Sequence, residues 1–201
     1  MVKVAILHEG NAKKTNDNEL LKLLIKVLGL NLNQVVFIGM GTKSNFFKED
    51  NINYHTLKLN LKKEEIQKIL FVVDADYVEN DSRFGGYDNT KIELKKIIKE
   101  LGVESYADIY ITCDPSIKCG YLESLILSTI SKEQKECIET FLECSDFKSK
   151  ENHKAILNQI YKTGYPNSPY DFSHSNFDAL KRKLNNLFEP FYKGYLKSQG
   201  N

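Results

Sequence analysis

Residues 69 to 90 read ILFVVDADYVENDSRFGGYDNT. The apolar run from Leu70 to Val73 reads as a buried strand. The run ends in Asp74 and Asp76, then a polar loop containing Gly85 and Gly86. Residues two apart in an extended segment point to one face, so both carboxylates are expected to address a single point beyond the strand.

Working outward, Val2 to Leu7 reads as another buried strand, and Glu19 to Leu28 as an amphipathic helix closed by Gly29. Val35 to Ile38 is a third short apolar run, ending in the loop GMGTKSN, and Lys62 to Lys68 reads as a short helix before the opening strand. A helix over Asn89–Leu101 leads through Gly102 to a strand over Ile109–Thr112. This alternation predicts an α/β fold: a Rossmann-like, mainly parallel four-stranded sheet flanked by helices.

After Asp114 and Pro115 the strand signal stops. YLESLILSTI is helical, Ser131 and Gln134 form a capping box for a helix running through Phe141, and Glu151 to Tyr161 is a further helical run. TGYPNSPYDFSHSNF is turn-rich, and Phe177 to Phe188 returns to helical spacing through Ala179, Leu180, Leu184, Leu187 and Phe188. The expected division is an α/β core over residues 1–130 and a C-terminal helical extension over 131–201 packed on it.

The 201 residues, 41% hydrophobic, suffice for one compact unit. With 28 Lys and Arg against 27 Asp and Glu, the formal charge is +1, so any nucleic-acid contact is expected to be local. The opening MVKVAILHEG is too short for a signal peptide's apolar region and cleavage site, and nothing approaches a membrane span; a cytoplasmic location is expected. The four cysteines lack CxxC spacing, which argues against a structural zinc site. Cys137 and Cys144, seven apart in a helical pattern, are expected to be reduced core residues rather than a disulfide.

In open parallel sheets, ligand sites gather beyond the carboxyl ends of strands. Glu9 follows the first strand, Asp74 and Asp76 end the third, and Glu123 follows the fourth. Carboxylates gathered at a partly dry strand end repel one another, and a hard divalent cation such as Mg²⁺ relieves that cost. The competing reading is structural: a strand-end Asp caps the next helix or turn, and Glu123 is a first-turn acid interacting with its helix dipole.

A strand ending in HEG with Glu9, a helix, and then a strand ending in VVDAD resemble the TOPRIM domain of topoisomerases, bacterial primases, recombination proteins and OLD-type nucleases. GYLESLIL, CIETFLEC and YDFSHSNFDALKRKL resemble more specifically an uncharacterised TOPRIM-related prokaryotic family of small stand-alone proteins, so the resemblance covers most of the chain. It implies a TOPRIM core in which Glu9 is a general acid or base, or a metal ligand, while Asp74 and Asp76 hold Mg²⁺ or Mn²⁺. OLD-type enzymes add a Glu resembling Glu123 and an acid in the first helix, a role open to Asp17 or Glu19, and hydrolyse phosphodiesters. The chain departs from the pattern in NAKKTND after Glu9 and in the long YVENDSRFGGYDNT insertion.

Basic candidates for nucleic-acid contact are Lys13 and Lys14 beside Glu9, Lys43 in IGMGTKSNFF, and Arg83 in SRFGGYDNT, each set against a plain solvated loop or turn. For the aromatics of the last stretch, the plainer alternative is packing down on the domain. The histidines share no spacing, and the chain is too short for a topoisomerase's separate tyrosine domain. No nucleophile elbow is visible. Three readings follow: a Mg²⁺-dependent nuclease acting on DNA or RNA, a non-catalytic TOPRIM-like module binding metal, nucleotide or a partner chain, and a structural protein whose acids only cap. A homo-oligomer or a protein partner stays open.

Overall fold

The computed structural model describes residues 3–11, 15–145 and 170–189. Four parallel strands, β1 (Lys3–His8), β2 (Val35–Gly39), β3 (Ile66–Asp74) and β4 (Ala107–Thr112), form one sheet in the order β2-β1-β3-β4. Helices α1 (Asn16–Val27), α2 (Ile52–Lys62) and α3 (Tyr87–Leu101) make the crossovers, followed by α4 (Leu122–Leu127), α5 (Lys132–Cys144) and α6 (Asp178–Phe188). The fold is the expected Rossmann-like α/β arrangement, with helices at the C-terminal end.

Period-two alternation sorts β3 between two apolar layers. Leu70 and Val72 join Val4 and Ile6 of β1 beneath α1, α4 and α6. Ile69, Phe71 and Val73 join Ala5 and Leu7 beneath α2 and α3. Ile69, Leu70, Phe71 and Val73 are at most 1% exposed, and each such side chain contributes roughly 1.5–3 kcal/mol by leaving water. This double burial explains why β3 shows no polar alternation.

The chain leaves β1 for β2 through α1 on one face, then passes back over β1 to β3 through α2 on the other. Right-handed crossovers in opposite directions must use opposite faces, and the reversal opens a crevice between the carboxyl ends of β1 and β3.

Helix boundaries follow local chemistry. The Thr15 hydroxyl accepts from Asn18 N, so α1 begins earlier than the apolar pattern alone indicates, with Asp17 and Glu19 in its positive first turn. Gly102, at φ +67°, ends α3. The capping box of Ser131 and Gln134 forms as read from the sequence.

Three expectations are corrected. The helix placed over Lys62–Lys68 lies earlier, over Ile52–Lys62; Asn51 caps it, and the chain reverses through Glu64 at φ 59° before β3. Its pattern is faint because only Tyr54 and Leu57 are buried, while Ile52 and Leu59 face water. Cys137 and Cys144 are free and exposed, not core; α5 buries Leu142 against Leu127 instead. Finally, the strand ends at Asp74, and Asp76 takes the left-handed conformation at φ 57°, so the alternation that would align the two aspartates stops between them. The physical cause is a turn: Asp76 N donates to Gly120 O at 2.7 Å and Gly120 N to Asp76 O at 3.1 Å, tying the loop after β3 to the loop after β4.

Helix α6 is part of the first layer, with Leu180, Leu184 and Leu187 at i, i+4 and i+7 buried alongside Phe177. Glu151–Tyr161, read as helical from the sequence, lies outside the described residues.

Candidate functional site at the strand ends

Glu9 leaves the end of β1 at the crevice, and its Oε1 accepts a hydrogen bond from Asp74 N at 2.8 Å. This contact joins the first and third strands at the point where strand order reverses. Glu9 is partly buried, and its carboxyl is pushed up to about 7 from 4.5. Burial is the largest cause, the bond from Asp74 N opposes it, the negative charges of Asp76 and Asp17 add to it, and Lys43 partly offsets them.

Asp74 is 3% exposed and stands in register with Thr112 of β4. Its charge contributes, after burial and the neighbouring Cys113 and Tyr87, to holding the Tyr110 phenol above its ordinary range. Asp76 is more open and faces Lys43. The Lys43 ammonium lies 3.3 Å from Asp76 Oδ2 and donates to Ala75 O at 2.7 Å. At 7% exposure, Lys43 is directed into the site from the short helical turn Lys43–Phe47 after β2. The sequence offered it as a phosphate contact, and the fold sets its ammonium beside Asp76.

Two backbone bridges frame this end of the sheet. Gly10 N donates to Gly41 O at 2.6 Å and Gly41 N to Gly10 O at 3.0 Å, pairing the loops after β1 and β2 as Asp76 and Gly120 pair those after β3 and β4. A side chain at Gly120, where φ is +93°, would meet Ser124 Oγ at 2.2 Å. Behind the site, His8 is fully buried; its Nε2 lies 3.2 Å from Asn18 Nδ2 and its Nδ1 2.7 Å from Glu9 O, and burial lowers its pKa. A neutral ring held by α1 is a positioning element for the start of the Glu9 loop.

Glu123 is 2% exposed in the first turn of α4. The Tyr170 phenol is raised chiefly by burial and then by the charges of Glu19, Glu123 and Asp17. Asp17 therefore acts electrostatically on both Glu9 and Tyr170. Among the described residues, no three His, Cys, Asp or Glu side chains are arranged as a ready-made metal cage. Arg83 is exposed and sits 4.7 Å above the Phe84 ring, which stacks on Phe47 at 4.5 Å, so the aromatic part of that loop packs down on the domain. Lys13 and Lys14 lie outside the described residues.

Asp114 was not singled out by sequence. It is 4% exposed, follows β4, accepts from Ser116 N and Oγ, and lies 3.7 Å from Lys135 Nζ. The strand-end rule that selected Asp74 applies equally to TCDPS and supplies the signal. Asp114, Tyr77, Tyr121 and Ser124 line a cavity of about 650 Å³ next to the Asp76–Gly120 bridge. No helix among the described residues is long and apolar enough to cross a membrane. A comparison with models of protein families and with curated proteins gives no match to this chain.

Proposed function

We propose that the crevice between β1 and β3 is a divalent-cation-dependent phosphoryl-transfer site, and that the protein is a nuclease of TOPRIM type acting on DNA or RNA. The observation that carries this reading is Glu9: a carboxyl at the strand-order reversal, pushed up to about 7 and anchored by Asp74 N. A group of that pKa holds or releases a proton near neutrality, as a general base for water or a general acid for a leaving oxygen requires. The same end of the sheet carries Asp74 and Asp76, in the order the TOPRIM resemblance requires.

The donor chemistry fits Mg²⁺ or Mn²⁺, since Glu9, Asp74 and Asp76 offer only hard oxygens and the charge of Asp76 disfavours ionisation of Glu9. Asp74 and Asp76 are the residues that would hold the ion. When bound, the metal would supply charge stabilisation to a phosphoryl group. The chain's own work is to hold the Glu9 proton, to keep Lys43 as a fixed positive charge beside Asp76, and to bury Asp74 away from water. Glu123 and Asp17 lie on the α1 and α4 side, where any second ion would draw on them.

A non-catalytic binding module is the second reading, favoured by one observation: the Lys43 ammonium lies 3.3 Å from Asp76 Oδ2 and offsets its charge. Thermal unfolding of wild type and Asp74→Asn with Mg²⁺, Mn²⁺ or Ca²⁺, followed by a nuclease assay in the best-binding ion, separates the two. Stabilisation of wild type alone, with cleavage lost in Asp74→Asn, supports the nuclease. A metal shift with no cleavage of single- or double-stranded DNA or RNA supports the module, and the absence of both overturns the metal reading.

A further inference from the structure

Among the described residues, β4 is an edge strand of the sheet, paired with β3 alone. Tyr106 O accepts from Ile69 N and Thr112 O from Ala75 N, so even-numbered positions turn their backbone toward β3. Ala107, Ile109 and Ile111 turn theirs outward. Proteins commonly cover such an edge or blunt it with charge. Here the edge forms the floor of a cleft between α3 of one helix layer and α6 of the other. Two adjoining cavities, of about 550 and 440 Å³, share Tyr87, Ile109, Ile111 and Lys183.

The cleft has an apolar floor and basic walls. Lys91, Lys95 and Lys99 recur every four residues along one exposed stripe of α3. Lys118, Arg182 and Lys183 line the other side. Six basic side chains therefore face three acidic ones, Glu104, Asp108 and Asp178, in a chain whose total formal charge is only +1. One outward backbone group already has a surrogate partner: Asp108 Oδ1 accepts from Ile109 N at 2.8 Å and from Lys183 Nζ at 2.6 Å. A carboxylate thus satisfies an edge N–H that an added strand's carbonyl would otherwise take, and a lysine of the wall holds it there.

We infer that this cleft binds an extended acidic segment of a partner protein, which adds to β4 as a fifth strand. Its backbone pairs with Ala107, Ile109 and Ile111, acidic side chains on one face of the added strand meet the α3 lysines, and the alternate apolar side chains turn to the opposite face. The β4 strand, Ala107–Thr112, offers about 20 Å of edge at roughly 3.3 Å per residue. A nucleic-acid strand fits less well, because Tyr87 is the one aromatic ring shared by both cavities and the Lys91 ammonium sits 5.7 Å from its centre. This inference does not depend on the phosphoryl-transfer reading.

The test uses the full chain and a fluorescein-labelled Glu-Val-Glu-Ile-Glu-Val-Glu peptide, followed by anisotropy at low salt. Three changes should act separately. Methylating alternate backbone nitrogens of the peptide should weaken binding about tenfold or more by removing strand pairing. Lys91→Glu with Lys95→Glu, both exposed, should weaken it about tenfold with unchanged circular dichroism. Asp108→Ala should strengthen it about threefold by removing the surrogate. Equal binding of methylated and unmethylated peptide, or no peptide binding at all, overturns strand addition. If a single-stranded oligo-dT binds with the same lysine dependence and displaces the peptide, the cleft is a nucleic-acid track and the inference falls.

Discussion

Replacing Glu9 by Gln isolates one proton and gives the strand-end site a number. The amide keeps an oxygen at the position that accepts from Asp74 N at 2.8 Å but cannot ionise. In the wild type the folded carboxyl titrates at about 7 instead of 4.5. Between those pH values the folded state holds a proton that the unfolded state has lost, so stability falls as pH rises through the window. The separation of about 2.5 pH units, at 1.36 kcal/mol each, is worth about 3 kcal/mol, fully lost above pH 7. Glu9→Gln lacks this penalty. Its stability relative to wild type should therefore climb by about 3 kcal/mol between pH 4.5 and 8, an advantage in Tm of roughly 6–12 °C at the upper end for a chain of this size. Urea melts of both proteins at half-unit pH steps measure the difference, in which the other titrating groups cancel to first order. A difference that stays constant from pH 5 to 8 would refute a buried, proton-holding Glu9.

Lys43→Met removes the ammonium that stabilises the ionised form of Glu9 and faces Asp76; carbon-detected NMR titration should show the Glu9 midpoint moving further up, and an unchanged midpoint would separate the two residues. Gly120→Ala places a methyl group 2.2 Å from Ser124 Oγ at φ +93°, and denaturant unfolding should record a loss of about 1–3 kcal/mol. Leu184→Ala empties a fully buried position in α6 and should cost about 2–5 kcal/mol, while Phe141→Ser, at an exposed site on α5, should change stability by less than about 0.5 kcal/mol.

Strands β1, β3 and β4 and helices α1 and α3 were legible from local pattern because each is buried in a way its own period records. Helix α2 was not. Its stripe reduces to Tyr54 and Leu57, too few repeats to distinguish a helix from a loop, and its start rests on the Asn51 cap. The cysteines of α5 misled for a related reason: seven-residue spacing marks a common helix face, but which face is buried depends on what packs against it.

For the site, strand-end logic on the sequence alone located Glu9, Asp74 and Asp76, since an acid directly after an apolar run must lie at a sheet's carboxyl edge. The order of the strands, by contrast, comes from crossovers, and only that order makes Glu9 and Asp74 neighbours 65 residues apart in sequence. The pairing of Lys43 with Asp76, the left-handed turn that breaks the aspartates' alternation, and the place of the β4 edge between α3 and α6 are likewise products of tertiary packing. Periodicity reports how one segment meets a surface. The charges that share a crevice are chosen by long-range topology, to which no single segment has access.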